Sequence, residues 1–461
     1  MKKVLYILLI LATLVSMTAC TPAATPQPAA PAAPVQPAAP AATQPPAAPA
    51  PTQPPAAPAA TQAPAAAEPI TLHALFMKQA GYQESDIDAI TKEFMAKNPN
   101  IKVEAEYVTY EALHDKIVTA AASKAGTYDV VLIDCIWPAE FAAAGFVKDV
   151  TDLVTPDMRK DIWTGAVQAV TYKDKMYAMP WLNDVLYLYY NEDMLKAAGY
   201  TAPPKTWTEL NQMAMAAKNK KLVQYPFIEY FQQDEGLTIA YAYYLMAFGG
   251  KFFDDQNNPA FNTPEGKAAL DYMVKGMKDG MYNPASIEST YEEVRRSFEQ
   301  GNSLFSVNWT YQLGMANDPK DSQIAGKAKI ALMPGEKGPS VTINGGMGLS
   351  VMSDSKYPDQ AWQYILYLSS KDVQKKYAAN ALPIWMSLFT DPELIKSQPV
   401  LVPLSQEQYK YIQNRPIIPF YSETSKIMSR ELQLALTGKE TSDQALKNAE
   451  ADIQKIHEKY K

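Results

Sequence analysis

The chain has 461 residues with 42 Lys and Arg against 49 Asp and Glu, a formal charge of −7 with no block of basic residues to draw it to a nucleic-acid backbone. Two cysteines are too few for a disulfide framework, and the composition excludes collagen-like and polytopic membrane classes. Thr21 to Glu68 holds 15 of the 36 prolines, 21 alanines and one charge, a mixture that builds no core and favours extended chain. The remainder, roughly 390 residues from Pro69 to Lys461, exceeds what one core usually serves, so two lobes are expected.

The chain opens with MKKVLYILLILATLVSMTAC: two lysines, an apolar run from Val4 to Val15, then small residues before Cys20. The run is too short to span a bilayer and has the charge order of a secretory signal, so residues 1–20 are set apart from the fold. Its end resembles a bacterial lipobox, with Met17 where Leu is usual. Lipid on Cys20 would fix the protein to the outer face of the cytoplasmic membrane, facing the periplasm or the exterior; ordinary cleavage near Ala19 is the alternative. Residues 21–68 then become a disordered Pro/Ala-rich tether, reaching at most ~150 Å at ~3.1 Å per residue.

From Ile70 onwards strand and helix signals alternate. Ile70 to Met77 is a short apolar run; Ser85, with Asp88 three residues on, is read as the cap of a helix whose Ile87, Ile90, Phe94 and Met95 share a face. Ile101, Val103, Ala105 and Tyr107 alternate as a half-buried strand, Leu113 and Ile117 give a helical stripe, and YDVVLID (Tyr128 to Asp134) reads as a strand buried on both faces. This order predicts an α/β fold with a parallel sheet whose strand ends hold the ligand. Further on, Thr206-x-x-Glu209 and Thr263-Pro264 open helices, SLFSVNW (Ser303 to Trp309) reads as a strand, and helices are expected over Ser369 to Ala379 and Thr441 to Tyr460.

Signals for chemistry are sparse. His73, His114 and His457 are scattered, His73 and His114 read as structural or surface residues, and no metal is expected. Asp254 to Glu265 mimics EF-hand spacing, but Pro259 stands where a glycine must turn, so calcium is set aside. Gly345-Gly346-Met347-Gly348 lacks the spacing of a phosphate loop and reads as a tight crossing of the chain. No cofactor is called for. Aromatic and short polar residues do recur together: Asp134 and Trp137; Trp181, Asn183 and Asp184; Glu229 and Tyr230; Trp309 and Tyr311; and Trp385. Rings offer flat apolar faces to C–H groups, and carboxylates and amides bind hydroxyls, a combination suited to sugars.

These residues resemble those of the extracellular solute-binding proteins of ABC importers, the maltose-binding-like group. The likeness rests on KNPNIKVEAEYVTYEALHDKI, YDVVLID with AAAGFVKDVTDLV, YKDKMYAMPWLNDVLYLYYNEDML, GGKFFDDQNNPAFNTPEG, FEQGNSLFSVNW and GGMGLSVMSDSKYPDQAWQYILYLSS, in order along nearly the whole mature chain. It implies a two-lobed periplasmic-binding-protein fold of type II character, with hinge strands between the lobes and hinge bending around the ligand. Crossings would fall near Asp184 to Val185, near Gly346 to Val351, and near Trp385 to Pro392. This divides the chain into 69–184 with 350–388, and 185–349 with 389–461. The resemblance places ligand contacts on Asp134, Trp181, Asp184, and Trp309 or Tyr311, and adds Gln79 after the first strand. It implies a monomeric, non-enzymatic receptor that hands a carbohydrate to ABC permease subunits and binds no nucleic acid. The alternatives are a secreted glycoside hydrolase or lyase, or a receptor for a polyol, a glycerol phosphate or a peptide.

Overall fold

The computed structural model describes residues 69–78, 81–379 and 381–460. The signal, Cys20, the tether and Gln79 lie outside these residues. The first sheet has five strands in the order Ile101–Val108, Ile70–Met77, Val130–Asp134, Met347–Val351, Met179–Leu182. The first three are parallel, as the strand–helix alternation predicts, with Ile70 opposite Ile101 and Ala74 opposite Val130. Strand Met347–Val351 runs antiparallel to both neighbours, because it enters from the other half of the molecule.

Burial follows the sequence pattern. All five residues of Val130–Asp134 are buried, while the edge strand Ile101–Val108 starts with the alternation of a half-exposed strand. Helix Glu84–Lys97 lays Ile87, Ile90 and Phe94 on the sheet, and Tyr110–Ser123 does the same with Leu113 and Ile117. The first of these helices begins earlier than expected. Its cap is Gln83, whose backbone N–H donates to Asp86 Oδ2 at 2.9 Å, so Ser85 lies inside the first turn.

The second sheet has the order Ala328–Ala331, Tyr187–Asn191, Phe305–Asn308, Phe227–Ile228. Leu188 and Phe305 face a core shared with helices Trp207–Asn219, Glu235–Ala247, Pro264–Asp279, Tyr421–Leu436 and Ser442–Lys459. The expected caps hold: Thr206 Oγ1 accepts from Glu209 N–H at 3.0 Å and Thr263 Oγ1 from Gly266 N–H at 3.3 Å. The Asp254 turn folds on itself, its Oδ1 accepting the N–H groups of Gln256 and Asn258.

Two lobes thus face each other, joined by segments that pair where they cross. Val185 bridges Asn344, and Gly345 N–H donates to Asp184 O at 2.9 Å. Two crossings differ from the sequence reading. Residues 347–351 already belong to the first sheet, so the second crossing is Asn344 to Gly346, not Gly346 to Val351. Trp385 bridges Ile162, Phe389 packs edge-on against Trp163 at 5.2 Å between centroids, and Asp391 accepts from Lys375 Nζ at 2.9 Å, so the chain is still with the first lobe at Trp385 to Pro392. It returns further on, where Ile412–Gln413 pairs with Thr342–Ile343. An apolar run such as Leu388-Phe389 fits either core, and only the partner surface decides.

The strand that leaves the crossing has no space for a side chain at its glycine. A Cβ on Gly348 would lie 2.6 Å from Val170 Cγ1 and 2.7 Å from Ala178 Cβ. Gly348→Ala should therefore lower stability by about 1–3 kcal/mol, the usual range for overpacking, in urea unfolding followed by circular dichroism. A midpoint unchanged from the parent chain would refute this packing.

Candidate functional site

A cleft of about 1130 Å³ opens between the lobes. On the first lobe it is lined where the parallel strands end: Met77 and Lys78, Thr109 and Tyr110, and Asp134 with Trp137. These are the carboxyl ends of an open α/β sheet, where the crossovers diverge and leave a crevice. The second lobe contributes Asp234 and Glu235 at a helix start, Thr290 and Tyr291 at another, and Trp309 and Tyr311 beyond a strand.

The structure brings five of the sequence-derived candidates to this cleft: Asp134, Trp137, Asp184, Trp309 and Tyr311. The Trp309 ring packs against Gly345 so closely that a side chain at that position would collide with it. Its neighbour Tyr291 stands 5.8 Å away between ring centroids. On the opposite wall Trp137 stacks on Tyr110 at 5.7 Å. Asp184 Oδ1 accepts from Thr310 N–H at 3.1 Å and Val185 N–H at 2.9 Å, as well as from the Thr310 hydroxyl. Burial pushes the Asp184 carboxyl up to about 6, against the pull of those three bonds.

The other described candidates are not on the cleft wall. Trp181 is fully buried and stacks on Tyr82 at 4.7 Å; its successor Leu182 lines the cleft instead. Asn183 donates to Pro383 O at 3.2 Å and serves the crossing. Trp385 donates its Nε1–H to Ser369 O at 2.8 Å, within the first lobe. Glu229 is 0 % exposed and accepts from Tyr243 Oη at 2.6 Å and Tyr244 Oη at 3.3 Å. Tyr230 is buried beside it and packs on Tyr291 at 4.2 Å.

Arg415 is the contributor that the sequence reading missed. It is 4 % exposed, and it donates from Nη2 to Asp134 Oδ1 at 2.9 Å and from Nη1 to Glu235 Oε1 at 2.9 Å. It touches Cys135 Sγ at 2.8 Å, while its Nε has no partner among the described residues. Asp134 and Glu235 belong to different lobes, so one guanidinium holds both. A sequence signal existed: Arg415 is the lone charge in NRPIIPF. His114 also lines the cleft, with Nε2 3.0 Å from Glu140 Oε1; burial opposes its protonation, but Glu140 and Asp115 outweigh this and raise its pKa. No group of three His, Cys, Asp or Glu residues is arranged to hold a metal among the described residues.

A family profile, bacterial extracellular solute-binding protein, matches residues 80–375. The chain belongs to this family. A probable ABC transporter-binding protein of Deinococcus radiodurans is 33% identical over 353 residues, covering 72% of this chain and 81% of that one. The structure of T. maritima MalE3 with maltose superposes with a TM-score of 0.79 at 29% identity, covering 84% of this chain and 100% of the other. An ABC transporter solute-binding protein of Thermotoga lettingae bound to α-D-tagatose gives 0.77 at 28% identity, covering 84% and 99%. The family binds solutes outside the cytoplasm and is not enzymatic, which removes the hydrolase alternative; the two-lobed α/β architecture is that of the maltose-binding fold.

Two predictions follow the buried charges. Replacing Arg415 with Ala strands Asp134 and Glu235 without a counter-charge, which should cost about 3–5 kcal/mol in urea unfolding; a loss below about 1 kcal/mol would contradict the arrangement. Glu229, pushed up to about 8 by burial against the bonds of Tyr243 and Tyr244, keeps its proton in the folded state after the unfolded chain has released it. Stability should therefore fall as pH rises from the ordinary carboxyl range towards 8, by a few kcal/mol at about 1.4 kcal/mol per pH step. Glu229→Gln removes the ionisation, so its melting temperature relative to the parent chain should climb between pH 5 and pH 9. A constant difference across that range would exclude the assignment.

Proposed function

We propose that this protein is the receptor of an ABC importer that captures a carbohydrate, mono- or oligosaccharide, in the interlobe cleft and delivers it to the permease. The observation that carries the reading is Trp309, a ring packed against Gly345 at the hinge in a cleft that also presents Tyr311, Trp137, Asp134 and Asp184. A pyranose stacks its C–H face on such a ring while its hydroxyls donate to carboxylates. The maltose and tagatose bound by the two related structures support a sugar. The lobes are taken as 69–184 with the strand from Met347, and 185–343 with the C-terminal helices, bending about the crossings between them. Ligand that prefers the closed arrangement shifts the equilibrium towards it.

Removal of residues 1–20 as a lipoprotein signal, lipidation of Cys20, a tether over residues 21–68 and a monomeric state complete the proposal. The tether would let the receptor reach a permease while staying at the membrane. Among the described residues no helix is long and apolar enough to cross a membrane.

A thermal-shift screen against a sugar library should identify a saccharide that raises the melting temperature. In calorimetry Trp309→Ala should then weaken its binding about tenfold or more, with no new reducing ends formed by either protein. If no saccharide stabilises the chain, the receptor reading fails; if Trp309→Ala binds as the parent does, the stacking role fails.

A further inference from the structure

Bonds between the lobes are of two kinds. The first kind joins segments where the chain crosses, as the bond from Gly345 N–H to Asp184 O and the bridge of Val185 with Asn344 do. Such contacts lie on the pivot and survive a rotation about it. Arg415, two residues beyond the strand Ile412–Gln413 that pairs with Thr342–Ile343, is close to that pivot as well. The second kind joins the bodies of the lobes, and it must break before the cleft can open.

Glu140 and Ser422 form a bond of the second kind. Glu140 lies on helix Pro138–Ala144, whose Phe141 ring stacks on His114 of helix Tyr110–Ser123 at 5.6 Å between centroids, so it moves with the first lobe. Ser422 lies on helix Tyr421–Leu436, which is fixed to helix Glu235–Ala247 of the second lobe where Thr238 Oγ1 donates to Ser425 O at 3.2 Å. Across the gap Ser422 Oγ donates to Glu140 Oε2 at 3.0 Å. The other carboxylate oxygen, Oε1, stands 3.0 Å from His114 Nε2, so the acceptor is held in place from its own lobe. The Glu140 side chain is 26% exposed, against 7% for Asp134 and 2% for Arg415, which sets this bond nearer to solvent than the Arg415 bridge. A hydroxyl on a carboxylate makes a charge-assisted bond, stronger than one between neutral groups. Both partners are protein atoms, so the bond favours approach of the lobes whatever solute lies between them.

We infer that the bond between Glu140 and Ser422 is a closure latch, which biases the lobes towards the closed arrangement and so raises affinity for every solute alike. This rests on the lobe bending proposed above and on no particular ligand. Apparent affinity scales with the fraction of molecules in the competent arrangement, so a bond that changes this fraction changes all dissociation constants by one factor. A residue that touches the solute changes them unequally. Glu140 and Ser422 are therefore positioning residues of capture.

The test reads the separation between spin labels on Glu111→Cys and Glu288→Cys, exposed positions that line the cleft from the first and the second lobe, in the full chain carrying Cys20→Ser and Cys135→Ser. Pulsed electron resonance without added solute should resolve a short and a long separation, once circular dichroism has shown each variant to be folded. Ser422→Ala and Glu140→Ala should each lower the short-to-long ratio about threefold or more. Combining the two should lower it no further than either alone, because the residues share one bond. Ser422→Thr keeps the hydroxyl and should keep the ratio of the parent. A ratio that ignores Ser422→Ala, one that falls as far with Ser422→Thr, or a double variant that adds the two effects overturns the latch and leaves the receptor reading standing. A single separation common to every chain overturns the latch too, and removes lobe bending from the proposed function with it.

Discussion

A guanidinium held between two carboxylates from opposite lobes organises this protein. Arg415 receives Asp134 from the end of a buried strand and Glu235 from the start of a buried helix, and it lies on the segment that follows the hinge pairing. Charges removed from water need excellent geometry to be tolerated, and the planar fork of arginine meets two acceptors at once. The consequence is positional: strand end, helix start and hinge are tied at one point, and the cleft is built around that point.

The hydroxyl groups near the crossing make the same tie without charge. Tyr409 Oη donates to Asn183 O at 2.9 Å, and Tyr187 Oη bonds Ser405 Oγ at 2.7 Å. Thr342 Oγ1 donates to Leu186 O at 2.8 Å. Each bond links segments more than a hundred residues apart, so the crossing is held by contacts that only the assembled fold can make. A polar crossing of this kind is directional, which would suit a joint that turns about one axis and resists others, as the proposed bending requires.

Much of the architecture was legible in the residues, for identifiable reasons. Val130 to Ile133 announces a buried strand because nothing polar interrupts those four residues, and the Thr206 and Thr263 caps show because a cap needs only its own turn. Gly345 and Gly346 lie at the crossing, as their run of glycines suggests, whereas Gly348 belongs to the strand beyond it. The site was less legible. Trp181 and Leu182 are adjacent, and in a strand adjacent side chains face opposite ways, so the ring goes to the core and the leucine to the cleft. Glu229 looked like a ligand contact because its owners, Tyr243 and Tyr244, come a full helix later. The cap at Gln83 was missed because Ser85 is the more familiar capping residue. Arg415 was overlooked because both of its partners lie far away in sequence.

Trp309 rests against Gly345, on the crossing itself, whereas Trp137 and Glu111 stand out on the wall of a lobe. A point on a pivot moves little when the arms swing, and a point far from it moves most. If the lobes bend about the crossing as proposed, the Trp309 ring would offer nearly the same surface to an arriving solute whether the arms are apart or together. Capture would then have an order: a solute would first settle at the stationary floor, and the travelling walls would interrogate it afterwards.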